Sequence, residues 1–447
     1  MQVNPSIFKA YDIRAIYPDD LNEEIGYAVG RAFVTFLKVD TVVVGRDMRL
    51  SGPQMFEAVT RGLTDQGADV IDIGMVSTDQ YYYACATLDQ AGIMVTASHN
   101  PAEYNGFKMV REMPQLLSGD EGIQDIRHLV ENENFPTPQR KGTITAMDVG
   151  DGFVEKILSL VDVSALKPLK IIADTGNGMV GPILERVYEK LPVQLTGMYL
   201  EPDGSLPNHG LDPLQPENRA ELQQRVVDEG ADIGFAFDGD GDRFFTIDDR
   251  GQFVSGDFLT ALMARYYLGK YPGAKIIYDV RASWAVPDLI SQAGGTPLME
   301  RVGHSFIKQR MAKEGAVFAG EVTGHYYFTD FFCADSGILP SLVIMEMLCK
   351  KNASLSDLLQ PLEAKYFISG EINTRIKSDP MMKMNELADI YDDGDCHWLD
   401  GISVTHDDWH FNVRPSNTEP LLRLNLEAKS KSLMEAKRDE VLKIIRS

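Results

Sequence analysis

Cysteine, long apolar runs and positive charge are all scarce in this chain. Its 447 residues include four cysteines, at Cys85, Cys333, Cys349 and Cys396. They form no C-x-x-C pair, so neither a disulfide framework nor a zinc site is expected, and a reducing cytoplasm fits best. Proline, serine and glutamate interrupt the longest apolar stretch, 337–349, and the first ten residues lack the apolar core of a signal peptide. We expect a cytoplasmic protein without a membrane segment.

The charge balance is strongly acidic. The chain has 66 acidic and 43 basic residues, for a formal net charge of -23. Such a field repels phosphate backbones and anionic lipid surfaces, so we expect neither nucleic acid nor a membrane as partner. At about 150 residues per domain, the length predicts about three domains. Small molecules are the expected partners of a monomer or small homo-oligomer.

One order of elements occurs three times along the chain. Each copy has a β-branched strand, an amphipathic helix, a second strand and a third apolar strand. The ranges are 41–47, 54–66, 69–73 and 92–98, then 169–174, 182–190, 193–198 and 231–237, then 274–279, 285–293, 296–300 and 315–319. Strands that alternate with helices predict α/β sheets, whose ligands lie beyond the carboxyl ends of the strands. The fold class we predict is three tandem α/β units, each aiming the loop after its third strand at a common cleft. The alternative is three unrelated α/β domains in tandem.

The end of the chain has a different pattern. After about residue 366, an alternating strand at 421–427 and a final helix indicate a small α+β domain with one exposed sheet face. The predicted domains are 1–148, 149–252, 253–365 and 366–447.

The loop after the third strand of the second unit is rich in carboxylates. Asp238-Gly-Asp-Gly-Asp242 places three carboxylates at alternate positions, and its glycines allow the backbone to curl so that all three converge. Oxygen ligands of this kind suit Mg²⁺ or Ca²⁺. An EF-hand is excluded, because Arg243 and Asp249 stand where its glycine and glutamate are needed. The alternative to a metal site is a solvated acidic turn.

The loop after the third strand of the first unit contains a candidate nucleophile. In Thr96-Ala-Ser-His-Asn-Pro101, Ser98 follows a buried strand and precedes His99 and Asn100. This arrangement suits a nucleophile or a phosphoryl carrier, although Ser-x-Asn-Pro also forms ordinary turns and helix caps. A hydrolase triad is a poor fit, because the G-x-S-x-G elbow is missing.

Two further loops have groups that suit sugar and phosphate. Gly320–His325 combines a carboxylate, a hydroxyl and an imidazole that could bind the vicinal hydroxyls of a sugar. The alternative is a loop with a capping threonine. Arg414–Thr418, with Arg423 nearby, supplies the cations, hydroxyls and backbone N–H groups of a phosphate-binding nest. A structural ion pair is the alternative for either arginine.

Together these four loops, in this order and at this spacing, resemble those of the α-D-phosphohexomutases, within them the bacterial and archaeal phosphomannomutase/phosphoglucomutase group. The family motifs T-A-S-H-N-P, D-G-D-G-D-R and R-P-S-N-T-E-P are intact at 96–101, 238–243 and 414–420. The sugar loop G-E-M-S-G-H appears as Gly-Glu-Val-Thr-Gly-His at 320–325. The resemblance covers the whole chain.

The resemblance implies a four-domain, heart-shaped enzyme with mixed sheets. In it Ser98, carried as phosphoserine, donates its phosphoryl group to a hexose monophosphate. The hexose 1,6-bisphosphate that forms, which is also the activator, turns over and returns its other phosphoryl group to Ser98. The resemblance further implies Mg²⁺ as cofactor, with Ser98, Asp238, Asp240 and Asp242 as its ligands.

The remaining roles also follow from the resemblance. Arg14 and Arg243 are expected to stabilise the transferring oxygens, and Lys108 to act as general base with a pKa lowered by nearby cations. His99 is grouped with these catalytic residues. The implied substrate contacts are Tyr11, His304, Glu321, Thr323, His325, Arg414, Ser416, Asn417, Thr418 and Arg423.

The sequence departs from the family pattern at a few positions. Ala15 replaces a glycine after Arg14, Val322 and Thr323 alter the sugar loop, and Arg281 lies where many relatives have lysine. We expect mannose phosphates, together with glucose phosphates, as substrates. Phosphoglucosamine mutase is an alternative, disfavoured because the sugar loop does not read G-E-Q-S-G-H. The sequence also allows a non-catalytic sugar-phosphate sensor or a sugar-phosphate phosphatase.

Overall fold

The computed structural model describes residues 1–119, 121–415 and 421–447. The strands in these ranges form four sheets, of seven, four, five and six strands in chain order. We refer to each sheet with its adjacent helices as domains I to IV. Within the described residues, no helix is long and apolar enough to cross a bilayer.

Domain I contains the first sheet. Its strands are β1 (Ile13–Ile16), β2 (Thr41–Arg46), β3 (Asp69–Met75), β4 (Ala91–Val95), β5 (Tyr104–Glu112), β6 (Gln115–Leu116) and β7 (Ile144–Ala146). Its helices are α1 (Glu23–Leu37), α2 (Gly52–Asp65), α3 (Thr78–Leu88) and α4 (Ile123–Asn132).

Domain II has four strands and three helices. They are α5 (Gly150–Ser159), β8 (Lys170–Asp174), α6 (Val180–Tyr188), β9 (Gln194–Met198), α7 (Ala220–Glu229), β10 (Ile233–Phe237) and β11 (Phe244–Ile247).

Domain III follows with five strands and five helices. They are α8 (Gly256–Lys270), β12 (Lys275–Asp279), α9 (Ala285–Gln292), β13 (Thr296–Glu300), α10 (His304–Glu314), β14 (Phe318–Gly320), β15 (Tyr326–Phe328), β16 (Ala334–Asp335), α11 (Ile338–Lys351) and α12 (Leu355–Glu363).

Domain IV is a mainly antiparallel sheet with two helices. Its elements are β17 (Phe367–Ile368), β18 (Ile372–Arg375), α13 (Pro380–Ile390), β19 (Asp395–His397), β20 (Ile402–Thr405), β21 (Trp409–Pro415), β22 (Leu421–Ala428) and α14 (Lys431–Arg446). This is the α+β architecture expected for the end of the chain.

The first three sheets share one topology, which confirms the predicted repeat. Each contains the spatial order antiparallel strand, third strand, first strand, second strand, as β5-β4-β2-β3, β11-β10-β8-β9 and β15-β14-β12-β13. The first strand pairs parallel with the second and the third, and the third pairs antiparallel with the strand that follows it. The serine, metal and sugar loops therefore occupy the same topological position, between β4 and β5, β10 and β11, and β14 and β15.

The largest hydrophobic core joins domains I, II and III. Helix α11 lies within it, and every residue from Ile338 to Cys349 is buried. An apolar helix that is buried on all sides needs no polar face. Its one acid, Glu346, is paired with Lys350 at 2.7 Å and accepts the Asp162 N–H. The interrupted apolar run noticed in the sequence is therefore a core helix.

Helices α1 and α2 of domain I approach closely at two glycines. A Cβ at Gly30 would lie 2.3 Å from the Val59 carbonyl oxygen, and one at Gly62 would lie 2.1 Å from the Tyr27 carbonyl oxygen. Both obstacles are backbone atoms of the opposite helix, so a side chain at either position forces the helices apart.

We predict that Gly62→Ala destabilises domain I by about 1 to 3 kcal/mol, the usual range for overpacking. Gly269→Ala is the matched control, because Gly269 lies in helix α8 and nothing lies within 4 Å of its Cβ position. There the substitution should stabilise by about 0.5 to 1 kcal/mol. Thermal unfolding of both variants measures the difference, and an equal or higher melting temperature for Gly62→Ala would contradict this packing.

Candidate active site

The serine loop follows β4, and its predicted nucleophile is buried. Ser98 is 2% exposed and has a left-handed backbone, with φ of +52°. Its Oγ donates to Asp238 Oδ2 at 3.0 Å and lies 3.1 Å from His99 Nδ1. Desolvation, together with the charges of Arg243 and Arg14, lowers the pKa of His99, so its imidazole is neutral. The serine predicted from domain I thus meets the metal loop predicted from domain II.

The metal loop directly follows β10 and turns sharply. Asp238, Asp240 and Asp242 are buried, and each offers an oxygen within 4.8 Å of the others. Gly241, with φ of +77°, provides the turn. Asp238 Oδ1 accepts the backbone N–H groups of Gly241 and Arg243 at 3.1 Å each, so the loop folds around its first carboxylate.

These carboxylates fit a hard divalent cation. Within the described structure, the buried Oδ1 atoms of Asp240 and Asp242 accept no hydrogen bond. Burial and the negative charges of Asp242 and Asp240 raise the pKa of Asp238 well above its usual value. Carboxylate oxygens that accept no hydrogen bond and repel one another are suitable ligands for Mg²⁺ or Ca²⁺. The predicted acidic metal-binding cluster is present.

Lys108 lies on β5 and faces the same carboxylates. Its Nζ lies 2.7 Å from Asp240 Oδ2 and 2.5 Å from Asp242 Oδ2. Burial disfavours its charge, but the two carboxylates outweigh burial and raise its pKa above the usual range. The expectation that nearby cations lower the pKa of Lys108 is therefore wrong, because its neighbours are anions. In this state Lys108 is a fixed cation rather than a proton acceptor.

Two arginines also lie beside the serine. Arg14, on β1, donates from Nη1 to Asn100 Oδ1 at 2.7 Å and from Nη2 to Asp12 at 2.5 Å. Arg243, directly after the metal loop, donates from Nε to His325 Nε2 at 3.0 Å, and its Nε lies 3.8 Å from Asp238 Oδ2. Positive charge from domains I and II thus surrounds the hydroxyl.

The sugar-loop side chains are already bonded within the protein. Glu321 accepts the Gly303 N–H at 3.1 Å and the Tyr327 hydroxyl at 2.5 Å. Thr323 Oγ1 accepts from Arg281 at 3.4 Å. These contacts hold the loop in place, and they leave the predicted sugar contacts of Glu321 and Thr323 as predictions.

His325 connects the sugar loop to the metal loop. Its Nδ1 lies 2.9 Å from Asp335 Oδ2, and its Nε2 accepts from Arg243, so both ring nitrogens have protein partners. Lys308 Nζ lies 2.6 Å from Asp335 Oδ1. The sequence interpretation missed Lys308 and Asp335, because neither lies in a recognisable loop motif.

His304 and Tyr11 bring domains III and I together at the cleft. Their rings meet edge to face at 5.6 Å, and the Tyr11 hydroxyl donates to the Val302 carbonyl at 3.1 Å. Desolvation and the charge of Lys308 lower the pKa of His304, so its ring is neutral. The substrate contacts predicted for both residues stay predictions.

Two of the residues predicted to bind phosphate lie on the sheet of domain IV. Arg414 and Arg423 are cross-strand partners on β21 and β22. Arg414 Nε lies 3.4 Å from Asp400 Oδ1, and Glu371 lies 3.2 Å from Arg423 and 3.4 Å from Arg281. Two cations directly opposite each other repel unless anions neutralise them, as these carboxylates do. The predicted contacts Ser416, Asn417 and Thr418 lie outside the described residues.

Helix α3 of domain I contacts the metal loop through its first turn. The Thr78 hydroxyl donates to Asp240 Oδ2 at 2.6 Å. Asp79 is buried and accepts from the hydroxyls of Ser77 and Ser336 and from the Gln80 N–H. Burial raises the pKa of Asp79 to about 7. A carboxyl group with this pKa titrates near neutral pH. Through its bond to Ser336, Asp79 also joins domain I to domain III.

Chemically, these groups suit the movement of a phosphoryl group between a hydroxyl of the protein and a hydroxyl of a ligand. Such a transfer needs a carrier, which the buried serine can supply. It also needs charge stabilisation, which the three carboxylates with a bound metal ion and the nearby cationic side chains can supply. The fold and the cleft thus define a phosphoryl-transfer enzyme built from three related α/β domains and one α+β domain.

Comparison with known proteins agrees with this class. The models described as phosphoglucomutase/phosphomannomutase alpha/beta/alpha domains I, II and III match residues 5–137, 151–251 and 255–366, and that of the C-terminal domain matches 371–444. The chain belongs to the phosphoglucomutase/phosphomannomutase family, and it is an enzyme of the phosphohexomutase type. The predicted family and fold class are thereby confirmed.

Individual relatives match along nearly their whole length. The chain is 42% identical over 449 residues to a phosphomannomutase of Escherichia coli K12, covering 98% of each. It is 40% identical over 442 residues to a Xanthomonas campestris protein named phosphohexose mutases, covering 98% of this chain and 99% of that one. A phosphoglucomutase/phosphomannomutase family structure from Burkholderia thailandensis superposes with a TM-score of 0.89 at 35% identity, covering 99% and 97%.

The titration of Asp79 predicts a pH effect on stability. Its folded-state pKa of about 7 lies above the unfolded value of about 3.9, so between them the folded protein binds one proton more. Stability therefore decreases as pH rises through that window, by about 1 kcal/mol per pH unit. Asp79→Asn, which mimics the protonated side chain, should remove this slope.

Melting temperatures of wild type and Asp79→Asn from pH 5 to 8 measure the effect. The variant should gain stability relative to wild type as pH rises, whereas Asp125→Asn, at an exposed position of the same domain, is the control. Parallel pH curves for wild type and Asp79→Asn would show that Asp79 does not titrate in this range.

Proposed function

We propose that this chain interconverts hexose 1-phosphates and hexose 6-phosphates through a phosphoserine at Ser98. The observation that carries the proposal is the contact between Ser98 Oγ and Asp238 Oδ2 at 3.0 Å, with Lys108 paired to the other two loop carboxylates. Ser98 is buried, and its hydroxyl donates to one carboxylate of the metal loop. As a phosphoryl carrier beside a metal cluster, it has a chemical reason to lie there.

In the proposed first half-reaction, the bond between phosphorus and Ser98 Oγ breaks and a bond to the free hydroxyl of a hexose monophosphate forms. In net balance, the proton of that hydroxyl passes to Ser98 Oγ, and Ser98 is left as the free hydroxyl. In the second half-reaction, the hexose 1,6-bisphosphate has turned over and its other phosphoryl group returns to Ser98. Ser98 Oγ gives up its proton in this step and the released sugar oxygen gains one, so phosphoryl groups and protons balance over the cycle.

Charge stabilisation is the main task we assign to the surrounding residues. Arg14, bonded to Asn100, and Arg243, 3.8 Å from Asp238, are proposed to neutralise phosphoryl oxygens on Ser98, with Lys108 as a third cation. His99, with its neutral ring 3.1 Å from Ser98 Oγ, is proposed to orient the phosphoserine. Asp238, Asp240 and Asp242 with the phosphorylated Ser98 are the proposed Mg²⁺ ligands. When bound, this ion supplies positive charge that polarises the phosphoryl oxygens.

Substrate binding is proposed to use opposite sides of the cleft. Glu321 and Thr323 bind sugar hydroxyls, whereas Tyr11, His304 and His325 form the adjoining wall. Arg414, Arg423 and the segment Ser416–Thr418 bind the phosphate that is not reacting. A bisphosphate can turn over in such a cleft because both of its ends are phosphates, so each can take either position.

For the sugar, we propose mannose phosphates first and glucose phosphates second. The support is the name phosphomannomutase, which curated relatives at 41–42% identity share. An enzyme that accepts both sugars must tolerate either configuration at C2, so the contacts that hold the sugar lie at its other hydroxyls.

The direct experiment is a ³¹P NMR time course with Mg²⁺ and trace hexose 1,6-bisphosphate. Mannose 1-phosphate, glucose 1-phosphate and glucosamine 1-phosphate are compared. We expect a 6-phosphate signal to appear without inorganic phosphate, fastest for mannose 1-phosphate. Fastest turnover of glucosamine 1-phosphate would contradict the proposed sugar, release of inorganic phosphate would indicate a phosphatase, and binding without turnover would indicate a sensor.

Ser98→Ala tests the carrier in the same assay. The variant should lose activity by orders of magnitude, because no other group can accept the phosphoryl group, and it should keep the wild-type melting temperature to within a few degrees. Ser118→Ala is the matched control, since Ser118 is also a buried serine of domain I but lies outside the proposed site. Near-normal turnover by Ser98→Ala would remove Ser98 from the mechanism.

A further inference from the structure

Both terminal nitrogens of the Arg49 guanidinium group donate to carbonyl oxygens of the serine loop and its junction with β5. Its side chain is 1% exposed. Nη1 donates to the carbonyl oxygens of Pro101 at 2.6 Å and Tyr104 at 2.9 Å, and Nη2 to those of Ser98 at 2.8 Å and Asn100 at 2.7 Å. Nε lies 3.2 Å from Asp47 Oδ2. All five guanidinium N–H donors therefore have acceptors, four of them on one loop.

Four carbonyl oxygens that converge on one point repel one another unless a cation lies between them. A planar guanidinium with donors in a fixed fork satisfies all four at once. A lysine ammonium has three donors and no such plane, so it cannot make the same set of contacts. The conformation of the serine loop therefore depends on the shape of the arginine side chain as well as on its charge.

Asp47 ties Arg49 to the start of the same loop. Asp47 accepts the backbone N–H of Arg49 at 3.0 Å and the Thr96 hydroxyl at 2.6 Å. Thr96 Oγ1 in turn accepts the Ser98 backbone N–H at 2.9 Å. Ser98 is thus held by its own N–H through Thr96 and by its own carbonyl through Arg49.

These two hydrogen bonds fix the backbone of a strained residue. A non-glycine residue in the left-handed region, as Ser98 is with φ of +52°, is strained and persists only where its surroundings enforce it. With its backbone in this left-handed conformation, Ser98 donates its hydroxyl to Asp238. A loop freed from Arg49 can relax toward ordinary backbone angles and turn the hydroxyl away from the carboxylates.

We propose that Arg49 is a positioning residue for phosphoryl transfer. Its four carbonyl contacts hold the β4–β5 loop so that Ser98 Oγ points at the metal loop. This inference rests on the proposed role of Ser98 as phosphoryl carrier. The guanidinium donors of Arg49 are used on four carbonyl oxygens and on Asp47.

The test compares Arg49→Lys and Arg49→Met with wild type. Because a misplacement of about 1 Å can cost about a hundredfold in rate, we expect kcat to fall about 30- to 100-fold in both. KM for mannose 1-phosphate should stay within about threefold, since no substrate contact is removed. Phosphorylation of Ser98 by hexose 1,6-bisphosphate, followed by intact mass, should slow in parallel with kcat.

Chemical rescue separates positioning from folding. Arg49→Ala should regain part of its kcat in millimolar guanidinium and none in the same concentration of methylammonium, because only guanidinium reproduces the fork. Arg31→Lys is the matched control, a partly buried arginine of the same domain that bonds to Gln66. It should keep wild-type kcat even where it lowers the melting temperature.

Two results would overturn the proposal. One is a kcat for Arg49→Lys within threefold of wild type; the other is equal rescue by both cations. If Arg49→Met fails to fold, the kcat of Arg49→Lys and the rescue experiment still test whether Arg49 positions the loop. Ser98→Ala separates failure of the proposed function from failure of the proposed role of Arg49. Activity in Ser98→Ala would contradict the proposed function. Loss of activity in Ser98→Ala together with normal activity in Arg49→Lys would contradict only the role of Arg49.

Discussion

Three carboxylates buried in a six-residue turn are the constraint on which the rest of this structure depends. Charged groups without partners are among the most costly things a protein can bury, so the turn at Asp238–Arg243 has to be held and neutralised from outside. Domains I and III both contribute. Thr78 of domain I donates its backbone N–H to the Asp240 carbonyl, and Gly337 of domain III donates to the Gly241 carbonyl. Lys108 adds the cation. The metal loop is the point at which domains I, II and III are joined.

The repeated topology explains why this junction is also a site. The third strand of each α/β sheet ends in a loop, and the sheets are arranged so that these loops meet. Phe244 of domain II donates its N–H to Gly324 of the sugar loop at 2.9 Å, which connects two of the loops directly. Domain IV joins through Glu427, which accepts from the Ser283 hydroxyl and the Trp284 N–H of domain III. The loops that carry the predicted site residues therefore also carry contacts that join the domains.

Much of this arrangement was predictable from the sequence, because the informative signals are local. Apolar strands that end in Ser98, Asp238 or Glu321 predict both the sheet and the chemistry at its edge. The environment of Lys108 was not predictable, since it depends on carboxylates 132 and 134 residues away. Arg49 follows strand β2 in a charged segment that the pattern did not distinguish from a solvated turn. The domain boundaries and the roles of the individual site residues, Ser416–Thr418 among them, stay predictions.

The most direct test of the central claim follows the phosphoryl group itself. Enzyme carrying ³²P on Ser98 is mixed with unlabelled mannose 1-phosphate and Mg²⁺ in a rapid-quench apparatus. The account predicts that the label leaves Ser98 within one turnover and appears first in hexose 1,6-bisphosphate. Label that goes to inorganic phosphate, or that stays on Ser98 while 6-phosphate accumulates, would contradict it.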